Sequence, residues 1–314
     1  MKSLAVVSIC LLLVVDLSAY TPGQGKSIEI SLGGNRFATF LHPHHPGNRI
    51  GYRFFEHTPI CYGKVPSTTE DAQIDKMEIS SLVSLFRGAG NEFIHTRRIE
   101  KDEKWSKLDW TYYLVPADDG IELLLVVQTY DEGLPEYYGI QQCFRMSGET
   151  NENWRKRVAC TPAFSEYDLW AKGDTTASLT YVLRNHEWSA IPATQEALGA
   201  RTPQGVKVDD MRTQGKLMSQ VGPYEATMLD PIDCGLIARI DRIETWVCGI
   251  YWENTSHVTN HHPADCLHAI VNIGNIPPYS KRAIRGKIYW FEGTKSDLYL
   301  HFQDDFGEKS QDEN

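Results

Sequence analysis

Three apolar runs near the C-terminal end set the strongest limit on how this chain folds: Thr245 to Glu253 (TWVCGIYWE), Cys266 to Ile273 (CLHAIVNI) and Arg282 to Glu292 (RAIRGKIYWFE). Each is rich in Val, Ile, Tyr or Trp, and Gly, Pro and Asn separate them, which predicts strands rather than helices. Between the first two lies a stretch that reads as a loop with an unusual density of ring nitrogens, His257, His261 and His262, with His268 just beyond. A loop loaded with titratable groups and carried by a sheet is where chemistry is expected.

The same pattern runs through the chain. Ser27 to Leu32 and Arg36 to His42 flank a Gly33-Gly34-Asn35 turn, and Ile50 to Phe55, Met77 to Phe86 and Glu92 to Glu100 read as further strands. Trp110 to Pro116 and Ile121 to Tyr130 form a predicted hairpin about Ala117-Asp118-Asp119-Gly120. Within it Leu123 to Val127 is continuously apolar, which predicts a strand buried on both faces in the middle of a core sheet. Tyr137 to Met146, Tyr167 to Trp170, Ser178 to Arg184 and Gly235 to Arg242 complete the set. Two short helices are expected. Thr150 to Ala159 has a Thr cap and a Pro162 stop; the second follows Thr294, with Asp297 at its third position and a stripe of Leu298, Phe302 and Phe306 destined for a sheet edge or end. Pro192 to Gln214 is polar and aperiodic, a long surface excursion or lid.

Many strand candidates against two helices predict an all-β protein, a large antiparallel β-sandwich with two short peripheral helices. A chain of 314 residues with 41% hydrophobic content has the material for one such core, assigned to residues 20–306, with a polar tail over 307–314. Met1 to Ala19 reads as a signal peptide: a charged start, an apolar run from Leu4 to Val15, and small residues at its end. That run is shorter than the roughly 20 residues of a bilayer span, so a secreted or periplasmic protein without membrane attachment is expected after cleavage. Cys61, Cys143, Cys160, Cys234, Cys248 and Cys266 then remain, an even number that permits disulfides in an oxidising compartment, although several sit in apolar strands where buried thiols are equally at home. The net charge of −10 repels nucleic acid, which is not expected as a partner. With no phosphate-cradling glycine loop in the sequence, no cofactor is expected.

Alternation along Tyr137 to Met146 places Gln141 and Arg145 on one face with Tyr137 and Gly139. Planar donors and acceptors beside rings suit a carbohydrate ligand, whose hydroxyls need hydrogen bonds while its C–H face needs cover. Trp252 and Trp290 are further candidates for stacking on a pyranose, and also candidates for the core. His257, His261, His262 and Asp265 read alternatively as metal ligands, and His42, His44 and His45 form a second imidazole cluster without a neighbouring carboxylate or thiol.

The many-stranded plan, the Ile276-Pro277-Pro278-Tyr279-Ser280 turn leading into the long closing strand, and a histidine on a late strand resemble the galactose-mutarotase-like supersandwich of sugar epimerases, glycosidase domains and polysaccharide lyases. The resemblance implies a histidine and a carboxylate on the concave face of a sheet, for which His262 or His268 with Glu253 or Asp265 are the nearest equivalents. An epimerase needs such a pair to move protons at a sugar ring, whereas a lyase also needs a cation on the uronate, for which Arg145 is available. His261 joins Arg145, Gln141, Trp252 and Trp290 as a candidate for substrate binding. The rival readings are a non-catalytic glycan-binding or structural sandwich and a metal-dependent hydrolase built on the histidine stretch.

Overall fold

The computed structural model describes residues 28–32, 37–44, 49–60, 81, 83–84, 93–98, 108–131, 133–134, 139–145, 180–191, 198–203, 228–229, 231–240, 245–261 and 266–307. The apolar alternation of the sequence resolves into two eight-stranded sheets. In spatial order the first holds β1 (Glu29–Leu32), β2 (Phe37–Leu41), β3 (Arg49–Ile60), β7 (Gly139–Arg145), β15 (Cys266–Asn272), β14 (Thr255–His261), β10 (Leu198–Arg201) and β11 (Met228–Leu229). The second holds β4 (Phe93–Arg98), β5 (Leu108–Ala117), β6 (Gly120–Gln128), β16 (Lys281–Glu292), β13 (Trp246–Trp252), β12 (Ile237–Ile240), β8 (Thr180–Arg184) and β9 (Glu187–Ile191). Pairing is antiparallel except between β10 and β11. The all-β sandwich expected from the sequence is the fold.

One apolar cluster fills the space between the sheets, with Phe40, Tyr52, Phe144, Leu267 and Val271 from the first and Trp110, Leu123, Ile250 and Trp290 from the second. β6 is buried on both sides as its unbroken apolar run predicts: Leu123, Leu125 and Val127 enter this core, while Leu124 and Val126 pack outward with Tyr113 and Ala283. The hairpin from β5 closes through Gly120, where a φ of 155° and the carbonyl of Ile288, 1.9 Å from the place a Cβ would take, require glycine.

The C-terminal helix α1 (Lys295–Phe306) begins as its sequence dictates. The Thr294 side chain accepts from the Asp297 backbone and the Asp297 carboxylate accepts from the Thr294 backbone, a reciprocal capping box. Its stripe does not lie on an edge. Leu298 and Phe302 pack with Val247, Tyr289, Ala238 and Leu236, so α1 covers the middle of the second sheet's outer face.

Three other expectations change. Met77 to Phe86 reads as a strand, yet Ser81, Val83 and Ser84 are helical; Ile79, Val83 and Phe86 recur in the sequence at three- and four-residue intervals, a helical period masked by β-branched residues. The stretch Thr255–His261, read as a loop, is strand β14, because Thr, Ser, His and Val alternate there across a sheet. The polar excursion from Pro192 contains β10, four residues whose Ala200 is fully buried. The helix expected over Thr150 to Ala159 and the strand over Tyr167 to Trp170 lie outside the described residues. No helix among the described residues is long and apolar enough to cross a membrane.

Candidate functional site

The outer face of the first sheet gathers polar and titratable side chains. Along β15, Leu267, Ala269 and Val271 enter the core, so period-two alternation sends Cys266, His268 and Ile270 to the other side. The same parity on β7 turns Ile140 and Phe144 inward and Gln141, Cys143 and Arg145 outward. On β14 it turns Val258 inward and His257 and Thr259 outward.

Strand register then assembles these residues into rows. Cys143 pairs with His268, which pairs with Thr259, and Arg53 of β3 continues the row beyond Cys143. One step along, Gln141 pairs with Ile270, Ile270 with His257, and His257 with Arg201 of β10. One step the other way, Arg145 pairs with Cys266 and Cys266 with His261. The sequence-predicted Gln141, Arg145 and His268 therefore share one face of two adjacent strands, and His261 stands in register with Cys266. None of the residues in these rows is acidic, although the whole chain has a net charge of −10.

The face is enclosed. Gln141, Cys143, His257, Thr259 and His268 are each 0% exposed and Arg145 is 4% exposed. Thr259 Oγ1 lies 2.8 Å from His268 Nδ1, and Ser256 Oγ lies 3.1 Å from His257 Nδ1 while donating to the carbonyl of Ile270. Both imidazoles are thus held at Nδ1 by hydroxyls. The Cys143 and Cys266 sulfurs and a His268 ring nitrogen all lie within 4.8 Å of one another.

The other predicted residues fall elsewhere. Glu253 sits in the turn that carries the chain from β13 in one sheet to β14 in the other, with Asn254 at a φ of 59°. Its Oε2 accepts from the Arg285 backbone at 2.9 Å, and burial raises its carboxyl above the usual range against the opposing pull of that hydrogen bond and of the Arg285 guanidinium. Glu253 is committed to the end of the sandwich, and His268 stands in mid-strand on the sheet's outer face, so the two do not form a pair. Trp252 and Trp290 are fully buried between the sheets as members of the apolar core. His262 and Asp265 lie outside the described residues. His42 packs its ring against Trp246 and Trp290, at centroid distances of 4.9 and 5.1 Å.

Sequence reasoning missed the grouping of Cys143 and Cys266 with His268, and the addition of Arg53 and Arg201. Parity within Gln141-Gln142-Cys143 and Cys266-Leu267-His268 already places both thiols with their polar neighbours. What parity lacks is the pairing of β7 with β15, two strands separated by more than a hundred residues.

No family model matches the chain, and no curated protein matches it. Among solved structures it is similar to the Slr1438 protein from Synechocystis sp. PCC 6803, at 10% sequence identity and a TM-score of 0.35, over 88% of this chain and 99% of that one. The chain is described by its architecture, an antiparallel β-sandwich with a polar, enclosed outer face on one sheet.

Proposed function

We propose that this is a secreted carbohydrate-active protein that takes an acidic sugar of a polysaccharide on the outer face of the first sheet and cleaves the chain as a lyase. The carrying observation is the composition of that face: the guanidinium side chains of Arg53, Arg145 and Arg201 and the imidazoles of His257 and His268 at outward positions of neighbouring strands. Guanidinium and imidazole groups set side by side suit an anionic ligand such as a uronate carboxylate. The resemblance to the supersandwich, in which sugars meet a sheet face, points the same way.

In this reading the Arg145 guanidinium and the Gln141 amide hold the uronate carboxylate and stabilise the negative charge that develops on it. His257 or His268 takes the proton from the carbon beside that carboxylate. The electron pair forms a carbon–carbon double bond, the adjacent glycosidic C–O bond breaks, and the leaving oxygen takes the proton from the resulting imidazolium. The position of Glu253 in the inter-sheet turn favours this route over an epimerase, which needs a carboxylate opposite the imidazole.

The test is incubation with uronate-containing polysaccharides, following the ultraviolet absorbance of the new conjugated double bond, with neutral polysaccharides as the control. Turnover of uronates alone, lost in Arg145→Ala, is the expected result. Equal or absent activity on both classes sinks the lyase. A second reading, glycan binding without turnover, draws on the hydroxyl partners that hold both imidazoles in place. It expects retention on a uronate column with no absorbance change.

A further inference from the structure

We infer that Cys143, Cys266 and His268 form a metal site for a soft or borderline ion, zinc in the first instance. The three side chains project from the same face of two adjacent strands, with Cys143 directly opposite His268 and Cys266 two residues before it. Their ligand atoms already lie within 4.8 Å of one another. Bonds of about 2.3 Å to sulfur and about 2.0 Å to nitrogen bring tetrahedral ligands somewhat closer than that, a contraction that side-chain rotation supplies on a fixed backbone. Two thiolates and an imidazole favour zinc or copper over magnesium or calcium, which prefer oxygen.

The surroundings are those of a ligand set held in place. Cys143, Cys266 and His268 are 0%, 1% and 0% exposed. Thr259 Oγ1, 2.8 Å from His268 Nδ1, fixes the ring so that Nε2 is the ligating nitrogen, the arrangement in which a neighbour to one imidazole nitrogen orients the other towards metal. Three protein ligands leave a fourth position for water or for an oxygen of a bound molecule, as in catalytic zinc sites. Neither Cys143 nor Cys266 is in a disulfide.

Metal binding stands whether or not the face takes a sugar. Where it does, His268 is a ligand and the proton acceptor is His257.

The test is metal analysis of protein produced without a histidine tag, followed by titration of the metal-free protein with Co²⁺. One equivalent of zinc per chain is expected, with intense thiolate-to-cobalt absorption on titration. Cys143→Ser and Cys266→Ser are expected to lose at least nine-tenths of the metal, whereas Cys248→Ser, at a buried thiol in the other sheet, keeps it. Thr259→Ala is expected to keep full stoichiometry with affinity lowered about 10- to 100-fold. The Co²⁺ titration of the unaltered chain needs no variant to fold. Absence of thiolate bands, metal retained in Cys143→Ser, or a Cys143–Cys266 disulfide in peptide mapping overturns the site. Metal content is read without substrate, so failure here is distinct from failure of the lyase.

Discussion

The Trp252 indole donates to the hydroxyl of Tyr52, 200 residues away and in the opposite sheet, at 3.0 Å. Tyr52 in turn donates to Gln142 Oε1 at 2.8 Å, the Gln142 amide donates to the Tyr112 hydroxyl at 2.9 Å, and Tyr112 donates to the carbonyl of Phe54. Every member is buried, and each donor finds an acceptor, so a polar line crosses an apolar core without an orphaned group along it. It stitches β13 and β5 of one sheet to β3 and β7 of the other.

Tyr52→Phe keeps the ring and deletes one oxygen, leaving the Trp252 N–H and Gln142 Oε1 without that partner inside the core. The expected cost is about 1–3 kcal/mol, measured by denaturant unfolding. Tyr112→Phe breaks the same line one step on. The double variant is expected to lose less than the sum, because both substitutions disable one network. Strict additivity contradicts the network.

Much of this architecture was legible beforehand. Alternation in β7 put Gln141 and Arg145 together, the run Leu123 to Val127 marked a doubly buried strand, and Thr294 with Asp297 announced the last helix. The failures share a cause: alternation gives the side of a strand and says nothing of its neighbour. Thr245 to Glu253 and Cys266 to Ile273 flank a stretch that reads as a loop, yet they lie in different sheets and that stretch contains β14. Trp252 reads as a core residue or a sugar platform, and its hydrogen bond to Tyr52 places it in the core.

Lys287 is the anchor of α1. Its ammonium lies 2.7 Å from Asp305, 2.9 Å from Asp119 and 3.0 Å from Glu122, with 5% of the side chain exposed. Asp305 occupies the last helical turn, which holds no basic residue and where the helix dipole disfavours an anion. Lys287→Met leaves three carboxylates facing one another, and a loss of about 3–5 kcal/mol is expected. Amide exchange of α1 is expected to rise with it; a helix protected as before contradicts the role.

Glu253 and Glu122 bear on stability against pH. Burial raises both carboxyls above their ordinary value despite nearby positive groups. An acid whose folded pKa exceeds its unfolded one binds protons more tightly when folded, so its contribution favours the fold at low pH and is lost as pH rises through the folded value. Glu253→Gln keeps an oxygen for the Arg285 backbone and removes the charge. Melting is expected to rise by roughly a degree or two at pH 7 and to be unchanged near pH 4. The reverse order, or a loss of polysaccharide turnover, would restore Glu253 to the active groups.

Gly286 on β16 exists to admit the Trp252 ring. A Cβ there would stand 2.5 and 2.6 Å from ring carbons of Trp252 and 2.8 Å from the carbonyl of Tyr251. The ring cannot retreat, because it is fully buried and its N–H is held by Tyr52. Gly286→Ala is therefore expected to cost about 1–3 kcal/mol through overpacking, against the small gain that alanine brings to an open strand position. Trp252→Leu in the unaltered chain opens a cavity and costs more, yet in the Gly286→Ala background part of that space is refilled. The double variant is expected to be more stable than the two single losses summed, by a coupling of about 1 kcal/mol or more. Equal losses in both backgrounds would mean that the clash is relieved by backbone movement, and that the position of Trp252 is not what keeps residue 286 a glycine.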